Sequence, residues 1–392
     1  MERRRGRPGG RSPEGIGGTS LTPGAGPDDG RGHRPLPRDL RLLIWETTAG
    51  CNLECMHCRR HEVSREMMRD DLSTAEGRAL IDQVAEVGRP ILVLAGGEPL
   101  VRPDLFDLAR YAVGRSLTVS LATNGTLVDW PVAQAVRAAG IRRVSVSLDG
   151  ASAETHDTFR RQLGSFHQAL EGIAWLRRAG LEVQVNATIA AHNADELRAI
   201  YDLTCGVGAA ALHAFMLAPV GCGLALADGQ LLDPERYETV LGEFAYLSAQ
   251  GKVQCKAVCA PHYARVIRQQ AQAAGKRLDP RRPREETVPR GCSAGSAGCF
   301  VSHTGEVFPC GYLPVSAGRV REVPFPTIWR DSPLLATLRD PDRLEGKCGG
   351  CDFNRVCGGC RARAFAETGN YLGEESSCPF GPAPDCRDGS RS

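Results

Sequence analysis

Between residues 40 and 217, short runs of apolar and β-branched residues alternate with amphipathic stretches at helical spacing. The runs at 41–47, 90–95, 117–122, 142–148, 181–189 and 209–217 predict strands. The stretches at 73–88, 103–114, 129–139, 164–179 and 194–205 predict helices between them. Ser73 or Thr74 followed by Glu76 offers a helix start, though not with the spacing of a clean capping box. Gly88, Gly140 and Gly180 stand where C-terminal caps belong. Such alternation implies an α/β fold with a parallel sheet and right-handed crossovers. Six units predict a partial barrel, with ligand sites at the C-terminal ends of its strands.

After about residue 251 the alternation stops. Residues 261–274 predict one helix, and 276–290 form a charged, proline-containing linker. From 291 to 386 the chain carries nine cysteines and many glycines, with too few apolar runs for a large core. Bound metal would supply folding free energy there. The expected division is a leader at 1–39, a barrel at 40–250, a helix and linker at 251–290, and a small cysteine-rich domain at 291–386.

Composition sharpens this picture through one residue type. Sixteen of 392 residues are cysteine, while the net charge of +2 implies no polyanionic partner such as nucleic acid. Disulfides would require an oxidising compartment and hence an export signal. Residues 1–39 are rich in Gly, Pro and Arg with no apolar core stretch, and read as a disordered leader. Residues 206–227 lack formal charge, but Pro219, Gly221, Gly223 and His213 oppose a membrane span. The expectation is a cytoplasmic protein off the membrane, whose thiols serve metal or redox chemistry.

Cys51, Cys55 and Cys58 form C-x3-C-x2-C just after the first strand. Three thiolates at this spacing can hold three irons of a cubane cluster and leave one iron open. Zinc bound by these cysteines and His57 is the alternative. Gly96-Gly97-Glu98-Pro99 follows the second strand, where glycines admit close backbone approach and Glu98 can accept from an ammonium. Asn124 ends the third strand, and Ser147 and Asp149 end the fourth. Each of these could also be an ordinary turn former.

Together these motifs resemble the radical SAM superfamily over roughly residues 40–220. The resemblance implies a partial (βα)6 radical SAM barrel. It implies a 4Fe–4S cluster on Cys51, Cys55 and Cys58, its fourth iron chelated by S-adenosylmethionine (SAM). It places Gly96, Gly97 and Glu98 at the SAM amino group, with Asn124, Ser147 and Asp149 near the rest of that cofactor. The reduced cluster would cleave SAM to methionine and a 5′-deoxyadenosyl radical that abstracts hydrogen from substrate, while the protein orients the cofactor and excludes water.

The second cysteine group comprises Cys292, Cys299, Cys310, Cys348, Cys351, Cys357, Cys360 and Cys378. It resembles the SPASM extension of radical SAM enzymes, which carries auxiliary iron–sulfur clusters. The chain departs from that pattern in having two residues between Cys357 and Cys360 rather than three. By analogy Cys348, Cys351, Cys357 and Cys378 would hold one 4Fe–4S cluster, and Cys292, Cys299, Cys310 and Cys360 another. One cluster with spare thiols, or zinc on the CxxC pairs, is also allowed. Cys205, Cys222, Cys255 and Cys386 read as buried or incidental thiols, and Cys259 is ambiguous.

The strings Cys259-Ala-Pro-His262-Tyr263, Ser302-His-Thr-Gly-Glu-Val307, Pro309-Cys-Gly-Tyr-Leu-Pro314 and Gly358-Gly-Cys-Arg-Ala-Arg363, with Thr368-Gly-Asn-Tyr371, are distinctive. They resemble the radical SAM tetrapyrrole enzymes of the siroheme-dependent heme pathway and its denitrifier relative, over about residues 40–382. Within that group Cys58-Arg59 looks most like heme b synthase, while Arg60 departs from the small residue expected there. The implied reaction turns two propionates of iron-coproporphyrin III into vinyl groups by oxidative decarboxylation. The surplus electron would leave through an auxiliary cluster, a role closed to redox-inert zinc. A small electron-transfer protein is the expected protein partner. Arg59, Arg60, Arg160 and Arg161 are candidate cations for the porphyrin carboxylates, and His213, His262 and Tyr263 are further candidate substrate contacts. The alternatives are a paralogous tetrapyrrole reaction, such as didecarboxysiroheme deacetylation or denitrifier heme side-chain removal, a SPASM peptide maturase, or a non-enzymatic zinc protein. A peptide maturase is disfavoured, because 1–39 is too short and too rich in Gly and Pro for a peptide-recognition winged helix.

Overall fold

The structure, a computed structural model, describes residues 39–60, 66–275 and 291–381. Most of the expected leader, the 276–290 linker and Cys386 lie outside the described residues.

The six predicted strands form β1 (Leu42–Glu46), β2 (Ile91–Ala95), β3 (Thr118–Thr123), β4 (Arg143–Ser147), β5 (Glu182–Ile189) and β6 (Ala211–Met216). They pair in parallel in chain order. The five predicted helices form within a few residues of their expected ends, at Thr74–Val87, Leu105–Gly114, Trp130–Ala138, Ser165–Arg178 and Leu197–Gly206. The first begins with a full capping box after all: Ser73 Oγ accepts from the Glu76 backbone, and the Glu76 carboxylate accepts from the Ser73 backbone. All three glycines stand at helix ends: Gly88 caps the first helix in an extended conformation with its amide donating to Val84 O, and Gly140 and Gly180 sit just past helix ends at positive φ.

Three elements escaped the pattern. The helix Ala153–Arg160 is polar over most of its length and is started by Ser152, whose hydroxyl accepts from Thr155 N–H. The helix Pro234–Ala249 starts at Asp233 with Pro234 in its first turn. A seventh parallel strand, β7 (Gln254–Val258), pairs with β6 inside the segment expected to be helix and linker. Gln254 and Lys256 make that short strand look polar, because it sits at the sheet's edge. The predicted helix at 261–274 follows as Tyr263–Ala273.

The cysteine-rich segment extends the same sheet. Strand β8 (Gly298–Val301) lies parallel to β1 on the side opposite β2. Strands β9 (Glu306–Phe308) and β10 (Gly318–Arg319) continue it antiparallel. The order runs β10-β9-β8-β1-β2-β3-β4-β5-β6-β7, so among the described residues the sheet is open.

Alternation assigns the two faces of each strand. Leu43, Trp45, Leu92, Leu94, Val119, Leu121, Val144, Val146, Val183 and Val185 join the main core with helix residues such as Leu80, Ile81, Leu108, Val136 and Ile173. The opposite face carries Glu46, Ser147, Asn186 and His213. The chemistry therefore gathers on the face without the helices and at the C-terminal strand ends.

Candidate active site

The loop after β1 carries Cys51, Cys55 and Cys58, and four neighbouring segments pin it. The Gly97 amide donates to Thr48 O at 2.9 Å, and the Glu98 amide to Gly50 O at 2.7 Å. A Cβ on Gly97 would collide with the Gly50 carbonyl, so only glycine lets these loops close together. Asn52 accepts from Asn124 Nδ2 at 2.8 Å and donates to Thr126 Oγ1 at 2.9 Å. The Met56 amide donates to Phe159 O at 3.1 Å, at the end of the helix Ala153–Arg160. The Cys222 amide donates to Cys58 O at 2.8 Å, and its thiol donates to Arg60 O at 2.8 Å. Gly221, at φ +58°, packs so closely on Arg59 that a Cβ there would overlap the Arg59 carbonyl.

Among the described residues every cysteine is a free thiol. The Leu53 amide donates to Cys51 Sγ at 3.4 Å, and Arg160 Nη1 reaches Cys55 Sγ at 3.6 Å. Burial pushes the Cys51 thiol up to about 12, with Glu98 and the other two cysteines adding to it. Such a group ionises only when a cation supplies the compensating charge, as a metal does for its thiolates. His57, the residue that would complete a zinc site, turns elsewhere. Its Nε2 lies 3.4 Å from Asp149 Oδ2, and its ring stacks flat on Phe159 at 4.1 Å. The three cysteines thus fit a group that takes sulfur ligands alone and leaves one position open.

The expected SAM-side residues take different places. Glu98 is fully buried, and its carboxylate accepts from Thr123 Oγ1 at 2.8 Å, Asn124 N at 2.7 Å and Leu100 N at 3.1 Å. Burial pushes it up to about 7, against the pull of those donors. Asn124 spends its side-chain oxygen on Thr126. Asp149 is buried, accepts from Thr188 N at 2.7 Å and pairs with Arg160 at 2.6 Å. Burial would raise it, but Arg160, His57 and His156 hold it at about 2. Ser147 ends β4 half-buried. Glu98, Asn124 and Asp149 thus stand hydrogen-bonded at the strand ends, and the Gly96–Gly97 backbone lines the closest approach to the cysteine loop.

The candidate substrate residues separate. Arg160 is committed to Asp149 and Cys55. His213 lies mid-strand beside Gln184 Nε2 at 2.9 Å, lowered to about 3 by burial with Lys256 and Arg143 nearby. Tyr263 packs in the main core against Phe244. His262 is fully buried and lines a small cavity with Cys348, Cys351, Cys357 and Cys378. Arg161 is exposed. Arg59 remains at a cavity: its guanidinium stacks over Phe300 at 4.1 Å and donates to Gly311 O at 3.2 Å.

That cavity, about 360 Å³, is lined by Arg59, Val220, Leu224, Cys310, Tyr312 and Phe365 among others. It runs from the residue after Cys58 to a thiol of the C-terminal segment. Burial pushes the Tyr312 hydroxyl well above its ordinary range, and its titratable neighbours include Cys259, Arg59, Cys310 and Cys58. Tyr312 lines the cavity together with Arg59 and Cys310.

One residue of this site gave no motif signal. Glu46, the last residue of β1, accepts from Arg59 at 2.5 Å and lies 3.0 Å from Arg60 and 2.9 Å from His303 Nδ1. Burial would raise its pKa, but Arg59, His303 and Arg60 hold it well below the usual carboxylate range. A charged residue closing an otherwise apolar strand was the available clue.

Comparison with known proteins agrees with this layout. Residues 45–204 match the family described as Radical SAM superfamily, and 292–352 match SPASM, an iron-sulfur cluster-binding domain. An AdoMet-dependent heme synthase of Methanosarcina barkeri is 47% identical over 342 residues, covering 87% of this chain and 97% of that protein. The chain belongs to the radical SAM superfamily. It falls in the SPASM-bearing tetrapyrrole group, for a Fe-coproporphyrin III synthase of the same organism is 31% identical over 375 residues, covering 89% and 92% of the two chains. The crystal structure of Streptococcus suis SuiB bound to precursor peptide SuiA has the same fold, with TM-score 0.69 at 14% identity over 87% of this chain and 76% of that one. This radical SAM protein is therefore an enzyme that uses a 4Fe–4S cluster with SAM and auxiliary iron–sulfur clusters. Among its described residues no helix is long and apolar enough to cross a membrane.

Two substitutions test the architecture of the loop. Gly221→Ala should destabilise the enzyme by at least about 1 kcal/mol and lower its iron content, measured by denaturant unfolding and iron assay. Glu46→Gln removes the buried carboxylate that Arg59, Arg60 and His303 share and should cost about 3 kcal/mol, read as a lower unfolding midpoint.

Proposed function

We propose that this enzyme converts two propionate side chains of iron-coproporphyrin III to vinyl groups, yielding heme b. The observation that carries the reading is the 47% identity to an AdoMet-dependent heme synthase across 97% of that protein, against 31% to a Fe-coproporphyrin III synthase. The cavity supports it. Val220, Leu224, Phe308, Leu313 and Phe365 offer apolar walls for a macrocycle, and the guanidinium of Arg59, paired with Glu46, lines it too. A guanidinium suits a propionate carboxylate that must be held in a fixed orientation.

Cys51, Cys55 and Cys58 are the proposed ligands of the catalytic cluster, with Gly96 and Gly97 beside the SAM amino group. Glu98, Asn124 and Asp149 act through the loops they hold, and Ser147 lies at the edge of the cofactor site. When bound, the reduced cluster and SAM supply the radical that removes a hydrogen atom from the propionate β-carbon. The side chain then releases CO2 and one electron and keeps the double bond. Each propionate thus needs an electron acceptor beside the cavity, and Cys310 places the C-terminal cysteines there. A small electron-transfer protein would reduce the catalytic cluster.

Cys51→Ala should abolish cleavage of SAM to methionine and 5′-deoxyadenosine, measured chromatographically. Retained cleavage would sink the ligand assignment. Reduced wild-type enzyme given SAM and iron-coproporphyrin III should form monovinyl and divinyl products, resolved by mass spectrometry. Consumption of didecarboxysiroheme with iron-coproporphyrin III untouched would assign the paralogous deacetylation instead.

A further inference from the structure

We infer that His262 donates a ring N–H to a sulfur of the auxiliary cluster at Cys348, Cys351, Cys357 and Cys378, and with Arg265 raises that cluster's reduction potential. The inference rests on a cluster at those four cysteines and is independent of the tetrapyrrole that is processed. His262 is fully buried, and among the described residues neither ring nitrogen has a hydrogen-bond partner. Buried polar groups are rarely left so, because nothing offsets their lost hydration. The imidazole lines the same small cavity as the four thiols. Glu375, the carboxylate at that cavity, is already engaged. It accepts from Arg363 Nη1 at 3.0 Å, the Cys360 amide at 2.8 Å and the Ser377 amide at 3.2 Å. The acceptor left for His262 is one that the cavity receives with its cluster.

The four sulfurs are already set as acceptors. Cys348 Sγ accepts from the Glu375 amide at 3.3 Å, Cys351 Sγ from the Phe353 amide at 3.4 Å, and Cys357 Sγ from the Gly359 amide at 3.4 Å. Cys378 Sγ accepts from Arg265 Nη2 at 3.7 Å. Four thiolates cover the four irons of a cubane and leave none for an imidazole. A neutral imidazole still has one N–H to give. His262 is therefore a donor to a cluster sulfur, not a ligand of iron.

Both side chains are held in place. His262 and Arg265 stand three residues apart at the start of the helix Tyr263–Ala273, and so share a face. The Tyr237 ring packs against the imidazole with centroids 4.6 Å apart, and its hydroxyl donates to Cys259 O at 3.1 Å. Glu238 accepts from Arg265 Nη1 at 2.8 Å and Nη2 at 2.6 Å. With its charge met by Glu238, what Arg265 offers Cys378 is a directed N–H. Reduction adds negative charge to a cluster, so each N–H aimed at a sulfur favours the reduced form. The pair thus makes this cluster a readier acceptor for an electron released by substrate.

The test uses the full chain with Cys51→Ala/Cys55→Ala/Cys58→Ala, purified anaerobically and reconstituted, so that only auxiliary clusters contribute. Adding Cys348→Ala/Cys351→Ala should remove one electron paramagnetic resonance signal and so identify the cluster. Signals and iron left as in the parent would strike the cluster placement on which the inference rests. His262→Phe keeps the ring contact with Tyr237 without an N–H. It should retain iron and circular dichroism while making reduction of that cluster about tenfold less favourable, a fall in midpoint potential of about 59 mV for one electron. His262→Gln keeps an N–H donor and should recover most of the shift. Without any substitution at 262, isotopically labelled histidine should give the same signal a weak nitrogen hyperfine coupling. A potential unchanged in His262→Phe, or no histidine coupling in the parent, would overturn the donor role. Loss of that cluster's iron in His262→Phe with retained circular dichroism would overturn it too, by making His262 a ligand.

Discussion

A single buried carboxylate joins the two halves of this enzyme. Glu46 closes β1 on the face away from the helices and holds Arg59 and Arg60, the residues that follow the last cysteine of the triad loop. The same carboxylate holds His303, in the turn between β8 and β9. Burying a carboxylate costs several kcal/mol unless its charge is met. Here the arginines and the histidine more than meet it, and the side chain stays ionised. The cysteine loop therefore cannot shift without breaking its tie to the C-terminal extension of the sheet.

That tie shapes the cavity. With Arg59 drawn to Glu46, stacked on Phe300 and donating to Gly311 O, its guanidinium lines the cavity beside Cys310 and Tyr312. The cavity thus reaches both the residue after the triad and a thiol of the C-terminal segment. The loops closed together at Gly97 and Gly221 help keep water from the radical that the enzyme's cofactors generate.

A second buried ion pair, Arg363 with Glu375, organises the C-terminal thiols as Glu46 organises the triad. Backbone hydrogen bonds add to the charge: Arg59 donates to Gly311 O, Arg363 donates to Cys259 O, and Glu375 accepts from the Cys360 amide. Such networks are weak sources of net stability but strong sources of position. Position is what a cluster-binding site requires.

The hydrophobic rhythm of residues 40–217 determined six parallel strands and five helices, because each buries a periodic face that local sequence must encode. The triad and Gly96–Gly97 were equally legible, since thiolate spacing and glycine at a close approach are local constraints. Strand β7 was not, because Gln254 and Lys256 are tolerated only at an edge that the tertiary pairing creates. Arg160 looked like a free cation by its loop position, but a helix absent from the apolar pattern delivered it to Asp149 and Cys55. Glu46 acquired its meaning from His303, a residue 257 positions away. The cysteines make the same point. Their number and types announced metal chemistry, but only folding at long range set Cys299 in the main core and gathered Cys259, Cys310 and Cys360 in one smaller cluster.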